Sequence, residues 1–361
     1  SGWTCTMTSS EKCIGSLRSI LICLKGSSRP VLPVYVTRTD DRASLSHWPR
    51  TRAGFTGGDM ALTPNLRGAL LMIGSMTAFT VNDAFMKLLG DHLPFFQLLF
   101  LRSLGVTSLL CALALGSGAL KVRVARRDRG LILLRSLAEI GAAWFFITAL
   151  FHMPIANVTA IIQALPLTVT LGAALVLKEQ VGWRRFTAIF IGFIGVFLIV
   201  RPGSDGFTVY SVYALAAVVC VTVRDLAARR LSREVPSLTV ALVAALAVLA
   251  FSGIGALTTD WTVMVARDWG LLLAAVVMIL GGYLFSVMAM RVGDIGAVAP
   301  FRYTSLLVAL VLGLIVFGDW PDRLTLLGAA IVVATGLFTL WRERKMRRRG
   351  VPTVSVSRPS G

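Results

Sequence analysis

Acidic residues are scarce in this chain, and so is charge of any kind. It carries 18 Asp+Glu against 36 Lys+Arg in 361 residues, and charged residues make up only 15%. A water-soluble domain usually carries about 25%, so the composition argues against a soluble enzyme. Histidine is rarer still. His47, His92 and His152 are the only three, and none lies deep in an apolar run, which excludes a histidine proton relay. Of the five cysteines, Cys5, Cys13 and Cys23 sit in the N-terminal segment. No cysteine has the spacing of a metal site or a disulfide framework. A Gly-rich phosphate loop, a His/Glu metal spacing and a Ser-His-Asp set are all missing, so the parts of an enzyme site are not supplied. No cofactor and no metal is expected.

What fills the chain instead is apolar sequence, 56% by count. The net charge of +18 would point to nucleic acid in a soluble protein. Here the basic residues stand between long apolar runs, where they read as membrane orientation signals, and no nucleic-acid partner is expected. Residues 1–59 differ in composition, being rich in Ser, Thr, Gly and Arg. Their one apolar stretch, Ile14–Leu24, is interrupted by Arg18 and is too short to cross a hydrocarbon core of roughly 30 Å. This segment is expected to be a disordered extension, with Met60 after Gly57-Gly58-Asp59 as an alternative start.

From Leu66 the apolar runs follow one another at 66–88, 95–115, 131–151, 155–177, 184–200, 208–228, 238–258, 269–290, 296–317 and 323–341. Each is long enough for a membrane helix at 1.5 Å per residue. Without water to satisfy a bare backbone, helices are the reading these runs allow. The fold class is therefore all-α integral membrane, with ten transmembrane helices; the fourth and fifth are the least clearly separated.

Basic residues alternate between the connections. One set holds Lys121, Arg123, Arg126, Arg127, Arg129, then Lys178, Arg184, Arg185, then Arg229, Arg230, Arg233, then Arg291. The tail adds Arg342, Arg344, Lys345, Arg347, Arg348 and Arg349, against Lys87, Arg201, Arg267 and Arg323 in the other set. By the positive-inside rule the first set is cytoplasmic, with both termini inside. The basic tail, 342–361, reads as an orientation anchor or as a contact for anionic membrane lipid.

The second half repeats the first. Asp83 pairs with Asp225, Lys87 with Arg229 and Pro94 with Pro236 at an offset of 142, and Gly141 with Gly281, Phe145 with Phe285 and Glu179 with Asp319 at 140. The expected units are residues 60–203 and 204–341, five helices each. Five is odd, so the second repeat enters the membrane from the opposite side. Inverted repeats of this kind are found in transporters that alternate access around a midplane site.

On these residues the chain resembles a ten-helix EamA-type member of the drug/metabolite transporter superfamily. The resemblance is carried by Pro94 with Arg102, Pro166 with Lys178-Glu179, Ala299-Pro300-Phe301-Arg302-Tyr303, the Gly318-Asp319-Trp320-Pro321 turn, and Gly328 and Gly336. Asp319 replaces the Glu usual in the family, and the long N-terminal extension departs from its pattern. The resemblance implies a carrier of small metabolites in the cytoplasmic membrane, often an exporter.

A charge within a span costs about 2.5–3.5 kcal/mol on insertion scales, so each needs a reason. Asp83 with Lys87, and Asp225 with Arg229, stand at i,i+4 with the acid first, the favourable order for an intrahelical pair. They read either as scaffold or as a gate that breaks and reforms. Arg102, Glu139 and Arg302 have uncharged repeat mates, namely Ala244, Ile279 and Ile162. These three charges are candidates for substrate contact, with Gln163 and its mate Tyr303. An Arg holds a carboxylate or phosphate in bidentate fashion, and Arg302 beside Tyr303 is the leading candidate. Glu139, near mid-membrane, is the candidate for proton coupling. Trp144, Tyr283 and Tyr303 offer aromatic surface to a planar ligand, while Trp183, Trp320 and Trp341 read as interface anchors. Gly281-Gly282 fits a close helix approach.

These observations favour a secondary transporter exporting a small polar metabolite, amino-acid-like or otherwise carboxylate-bearing. The alternatives are uptake of a planar cofactor or nucleoside-like compound, and a non-transporting membrane scaffold. A homodimer is compatible with the sequence.

Overall fold

The computed structural model describes residues 63–117, 126–179, 182–202, 208–232, 235 and 237–348. The readings placed on residues 1–59, on Lys121, Arg123, Arg233, Pro236 and Arg349, and on the 203/204 unit boundary lie outside them.

Among the described residues, ten helices long and apolar enough to cross a membrane follow in order, as the spacing of the apolar runs predicts. They are α1 (Pro64–Gly90), α2 (Phe95–Ser117), α3 (Arg126–His152), α4 in two pieces (Ile155–Ile162 and Leu165–Val176), and α5 (Trp183–Val200). The second half has α6 (Val209–Arg230), α7 (Ser237–Leu257), α8 (Ala266–Val292), α9 (Thr304–Phe317) and α10 (Arg323–Arg348). Thr63 caps α1, its Oγ1 accepting from the Leu66 amide at 3.4 Å, with Pro64 placed where no donor is needed. Gly318 ends α9 at φ 68°, the left-handed conformation that glycine adopts without strain. Lys178, at φ 55°, ends the segment after α4 and separates it from α5.

Helices α4 and α9 are not simple rods. The first breaks at Gln163–Ala164, ahead of Pro166, and the second is preceded by a one-turn helix, Ile295–Val298, and a 3-10 turn, Ala299–Tyr303, that contains Pro300. Proline removes an amide donor and disfavours the regular helix before it. Both breaks meet, the Gln163 side-chain amide donating to the Arg302 carbonyl at 3.4 Å.

The packing obeys the duplication. Helix α1 lies along α8, and α3 lies along α6; α2 packs on α7, and α5 on α10. Shifting every helix by five exchanges α1·α8 with α3·α6 and returns α2·α7 and α5·α10 to themselves. Small residues set the approach. The Ser75 hydroxyl donates to the Gly282 carbonyl at 2.7 Å, and Phe79 occupies the space a Gly282 side chain would need. Gly195 and Gly328 bring the α5 and α10 backbones together, while Gly281 faces open space. Of the Gly281-Gly282 pair, only Gly282 serves close packing.

Buried acids brace the long pairs. At the start of α3, Asp128 accepts from the Ser232 hydroxyl at 2.6 Å, and at the start of α8, Asp268 sits 3.1 Å from His92 Nε2. The first brace ties α3 to the end of α6, the second ties α8 to the end of α1. Each is at the opposite membrane side from the other, as an inverted repeat requires.

Candidate functional site

Between the α1·α8 pair and the α3·α6 pair runs a line of polar side chains. Its first member is Asp83 in α1, whose Oδ1 accepts from Asn82 Nδ2 at 2.9 Å. Arg102 of α2 is its electrostatic neighbour, and Arg102 in turn interacts with Tyr283 of α8 and Glu139 of α3. Glu139 occupies the midpoint of α3, thirteen residues from either end, so about 20 Å along the helix. Its two oxygens face two guanidinium groups, Arg224 Nη1 at 3.3 Å and Arg135 Nη2 at 3.9 Å. Arg224 of α6 also donates to Asp225 Oδ1 at 2.9 Å.

The two ends of this line are repeat mates. Asn82 donates to Asp83 at 2.9 Å and Arg224 donates to Asp225 at 2.9 Å. Position i−1 thus serves the same purpose in both halves, with an amide in one and a guanidinium in the other. Asp83 and Arg102 lie about 10 Å from the ends of their helices on one membrane side, and Arg224 about 9 Å from the end of α6 on the other. The arrangement is a polar path across the bundle.

Tyr283 is 49% exposed although charged groups from α2, α3 and α6 surround its hydroxyl end and Phe79 packs edge-on against its ring at 5.3 Å. Glu139 and Arg224 are likewise 21% and 25% exposed. Arg102 differs from the other two arginines of the path. Its Nε is buried without a hydrogen-bond partner, and no carboxylate among the described residues lies within ion-pair distance of it.

An EamA-like transporter family profile matches the chain twice, at residues 66–201 and 209–341. The chain belongs to the EamA-like transporter family. It is thus a multi-pass membrane transporter of the drug/metabolite transporter superfamily. An S-adenosylmethionine uptake transporter of Rickettsia prowazekii is 24% identical over 79% of this chain and 96% of its own. A pseudopaline exporter of Pseudomonas aeruginosa is 29% identical over 74% of this chain and 93% of its own. A riboflavin transporter of Vibrio cholerae is 32% identical over 59% and 72%. A solved structure shares the fold, with a TM-score of 0.54 at 20% identity over 77% of this chain and 98% of that one.

Of the residues singled out in the sequence, this EamA-like transporter brings Asp83, Arg102, Glu139, Tyr283 and Asp225 into the polar path. Arg224 and Arg135, which are not among the candidates the sequence singles out, join them. The intrahelical pairs expected at Asp83/Lys87 and Asp225/Arg229 are not formed. Lys87 reaches across instead, its ammonium donating to the carbonyls of Leu150 at 3.0 Å and Met153 at 2.8 Å. Carbonyls at a helix C-terminus want a donor and carry partial negative charge, and that outcompetes a carboxylate one turn away. Arg229 stands 3.9 Å from Glu179 of the opposite half.

Gln163, Arg302 and Tyr303 form a second group at the meeting of the α4 and α9 breaks. Tyr303 is buried against Gly336 with its hydroxyl unpartnered, and Arg302 is exposed. Trp144 packs among Phe95, Phe96 and Phe251 with centroids 4.9, 5.4 and 5.9 Å away. Trp183, Trp320 and Trp341 are exposed at or near helix ends.

Proposed function

We propose that this transporter carries a small amino-acid-bearing metabolite along the polar path by alternating access. Arg102 receives the substrate carboxylate and Asp83 receives its ammonium group. The observation that carries this reading is the uncommitted state of both charges. Arg102 has a buried nitrogen without a partner, Asp83 has only a neutral amide, and the two do not pair with each other. A cation and an anion held apart in one cleft form a receptor for a zwitterion. Glu139, by contrast, is already engaged by two arginines, so it organises the path. Tyr283 and Phe79 give apolar surface to the rest of the substrate. Gln163, Arg302 and Tyr303 stand apart from this path at the α4 and α9 breaks and serve as a second polar contact.

The positive-inside count places the Arg229 side in the cytoplasm, with both termini inside. Export is the direction we favour. The pseudopaline exporter is 29% identical over 93% of its own length, against 24% over 96% for the S-adenosylmethionine uptake transporter, and the higher identity is what we follow. The second reading is uptake of a planar, nucleoside-like compound. The half-exposed Tyr283 ring favours it, together with the likeness to transporters named for riboflavin and S-adenosylmethionine.

The test compares metabolites in the medium and cytosol of cells producing the wild-type chain, Arg102→Ala or Arg302→Ala at equal level. Loss of an arginine–carboxylate contact removes about 1.5–3 kcal/mol, so Arg102→Ala should lower the flux of an amino-acid-bearing compound about 10- to 100-fold. A compound accumulating outside only with wild type supports export. A neutral aromatic compound gained inside, and insensitive to Arg102→Ala, replaces this reading with the second.

A further inference from the structure

The two sides of the bundle are built alike and held differently. On one side Lys87 is 8% exposed and bonded to the carbonyls of Leu150 and Met153, with the Phe317 ring 5.6 Å from its ammonium. Leu150 and Met153 are themselves 1% and 6% exposed. On the other side its repeat mate Arg229 has a side chain 50% exposed, with Glu179, at 3.9 Å, as its one ion-pair partner among the described residues. The repeat mates of Leu150 and Met153 at the offset of 140 are Met290 and Gly293, and Met290 is 38% exposed. Helix α1 packs against α3, whereas the repeat-related helices α6 and α8 make no comparable contact among the described residues. Contact between α1 and α3 closes the Lys87 side, while at the Arg229 side α6 and α8 do not pack on each other among the described residues.

We infer that Lys87 and Arg229 are alternating latches, each closing one side by capping the C-terminal carbonyls of the helix across the cleft. The state seen has the Lys87 latch engaged. In the opposite state Arg229 donates to the carbonyls at the end of α8, at Met290 and Gly293, while Lys87 lets go of Leu150 and Met153. The moving bodies are the two braced pairs, α1·α8 and α3·α6. Rocking one pair on the other opens α1 from α3 as it closes α6 on α8. Sequence symmetry supplies both latches, and two hydrogen bonds to a charged donor are strong enough to hold either end. This inference rests on the alternating-access reading above but not on the substrate.

Hydrogen exchange of the full chain in lipid nanodiscs, read by mass spectrometry, tests it without any substrate. In wild type, residues 150–158 should be protected and residues 288–294 should exchange fast. Lys87→Met should raise exchange at 150–158 and lower it at 288–294, each about tenfold, because the lost latch releases the population to the other state. Arg229→Met, at an exposed side chain, should move the same segments in the reverse senses, and Lys87→Arg should behave as wild type. Loosening at 150–158 alone, or everywhere at once, makes Lys87 a structural cap and overturns the latch. An unchanged 288–294 segment in Arg229→Met overturns it equally. If the latches respond as stated while no amino-acid-bearing compound is carried, the substrate reading fails and the latch stands.

Discussion

Glu139 at the centre of α3 shows what a single charge does inside this bundle. It answers to two guanidinium groups on two helices, so removing it leaves Arg135 without a carboxylate among the described residues and Arg224 with Asp225 alone. Breaking a partly buried pair from one side destabilises by more than the pair contributes, because the remaining charge stays desolvated. Glu139→Gln and Arg224→Gln should each lower thermal stability in detergent, while the double variant loses less than the sum. The coupling expected from that cycle is about 1–2 kcal/mol, and additive losses would mean the contact is incidental. The sequence exposed Glu139, Arg102 and Arg302 because their repeat mates are apolar. It concealed Arg224 because Asn82, its mate, is polar and performs the same donation to the following Asp. It concealed Arg135 because a basic residue near a span's end reads as an orientation signal. Asp83 with Lys87 misled for another reason: spacing at i,i+4 permits a pair, but it does not reveal a competing set of helix-end carbonyls.

At the scale of helices, the ten spans were legible from apolar run length alone, since a bilayer demands that length whatever the tertiary contacts are. Their ends were less so. Helix α3 begins at Arg126, five residues before the predicted apolar run, and α10 continues to Arg348. Helix propagation does not stop where hydrophobicity stops, and arginine is a good helix former. The break in α4 was also hidden. Pro166 marks it, but a proline in a membrane span does not say whether the helix bends or splits. Glycine gives a sharper test of packing at this scale. Gly282 lies against the Phe79 ring, and a Cβ there would come within 2.7 Å of it; Gly281 has nothing within 4 Å. Gly282→Ala should therefore destabilise the α1·α8 contact by about 1–3 kcal/mol, and Gly281→Ala should be close to neutral. The check is the melting temperature of each purified variant, and equal effects would refute the contact.

For the molecule as a whole, the duplication read from a few matched residues also organises the packing, and it separates what must stay together from what must part. Helices α1 and α8 are joined along their length and braced by His92 and Asp268, while α1 and α3 meet at one end only, where Lys87 crosses to Leu150 and Met153. A contact that persists through the cycle tolerates a covalent link; a contact that must open does not. At that end Gly90 faces the Phe151 ring, so closely that a Cβ would come within 2.6 Å. Cysteines at Gly90 and Phe151 should form a cross-link that holds this side shut and abolishes transport in proteoliposomes, with recovery on reduction. A cross-link of cysteines at His92 and Asp268, bridging the same side but within the braced pair, should leave most of the transport in place. Two links of similar length at one membrane side would then have opposite consequences, which a general loss of flexibility cannot produce. Arrest by both links would mean that α1 and α8 separate during the cycle, and the two-body motion would have to be redrawn around a different division of the ten helices.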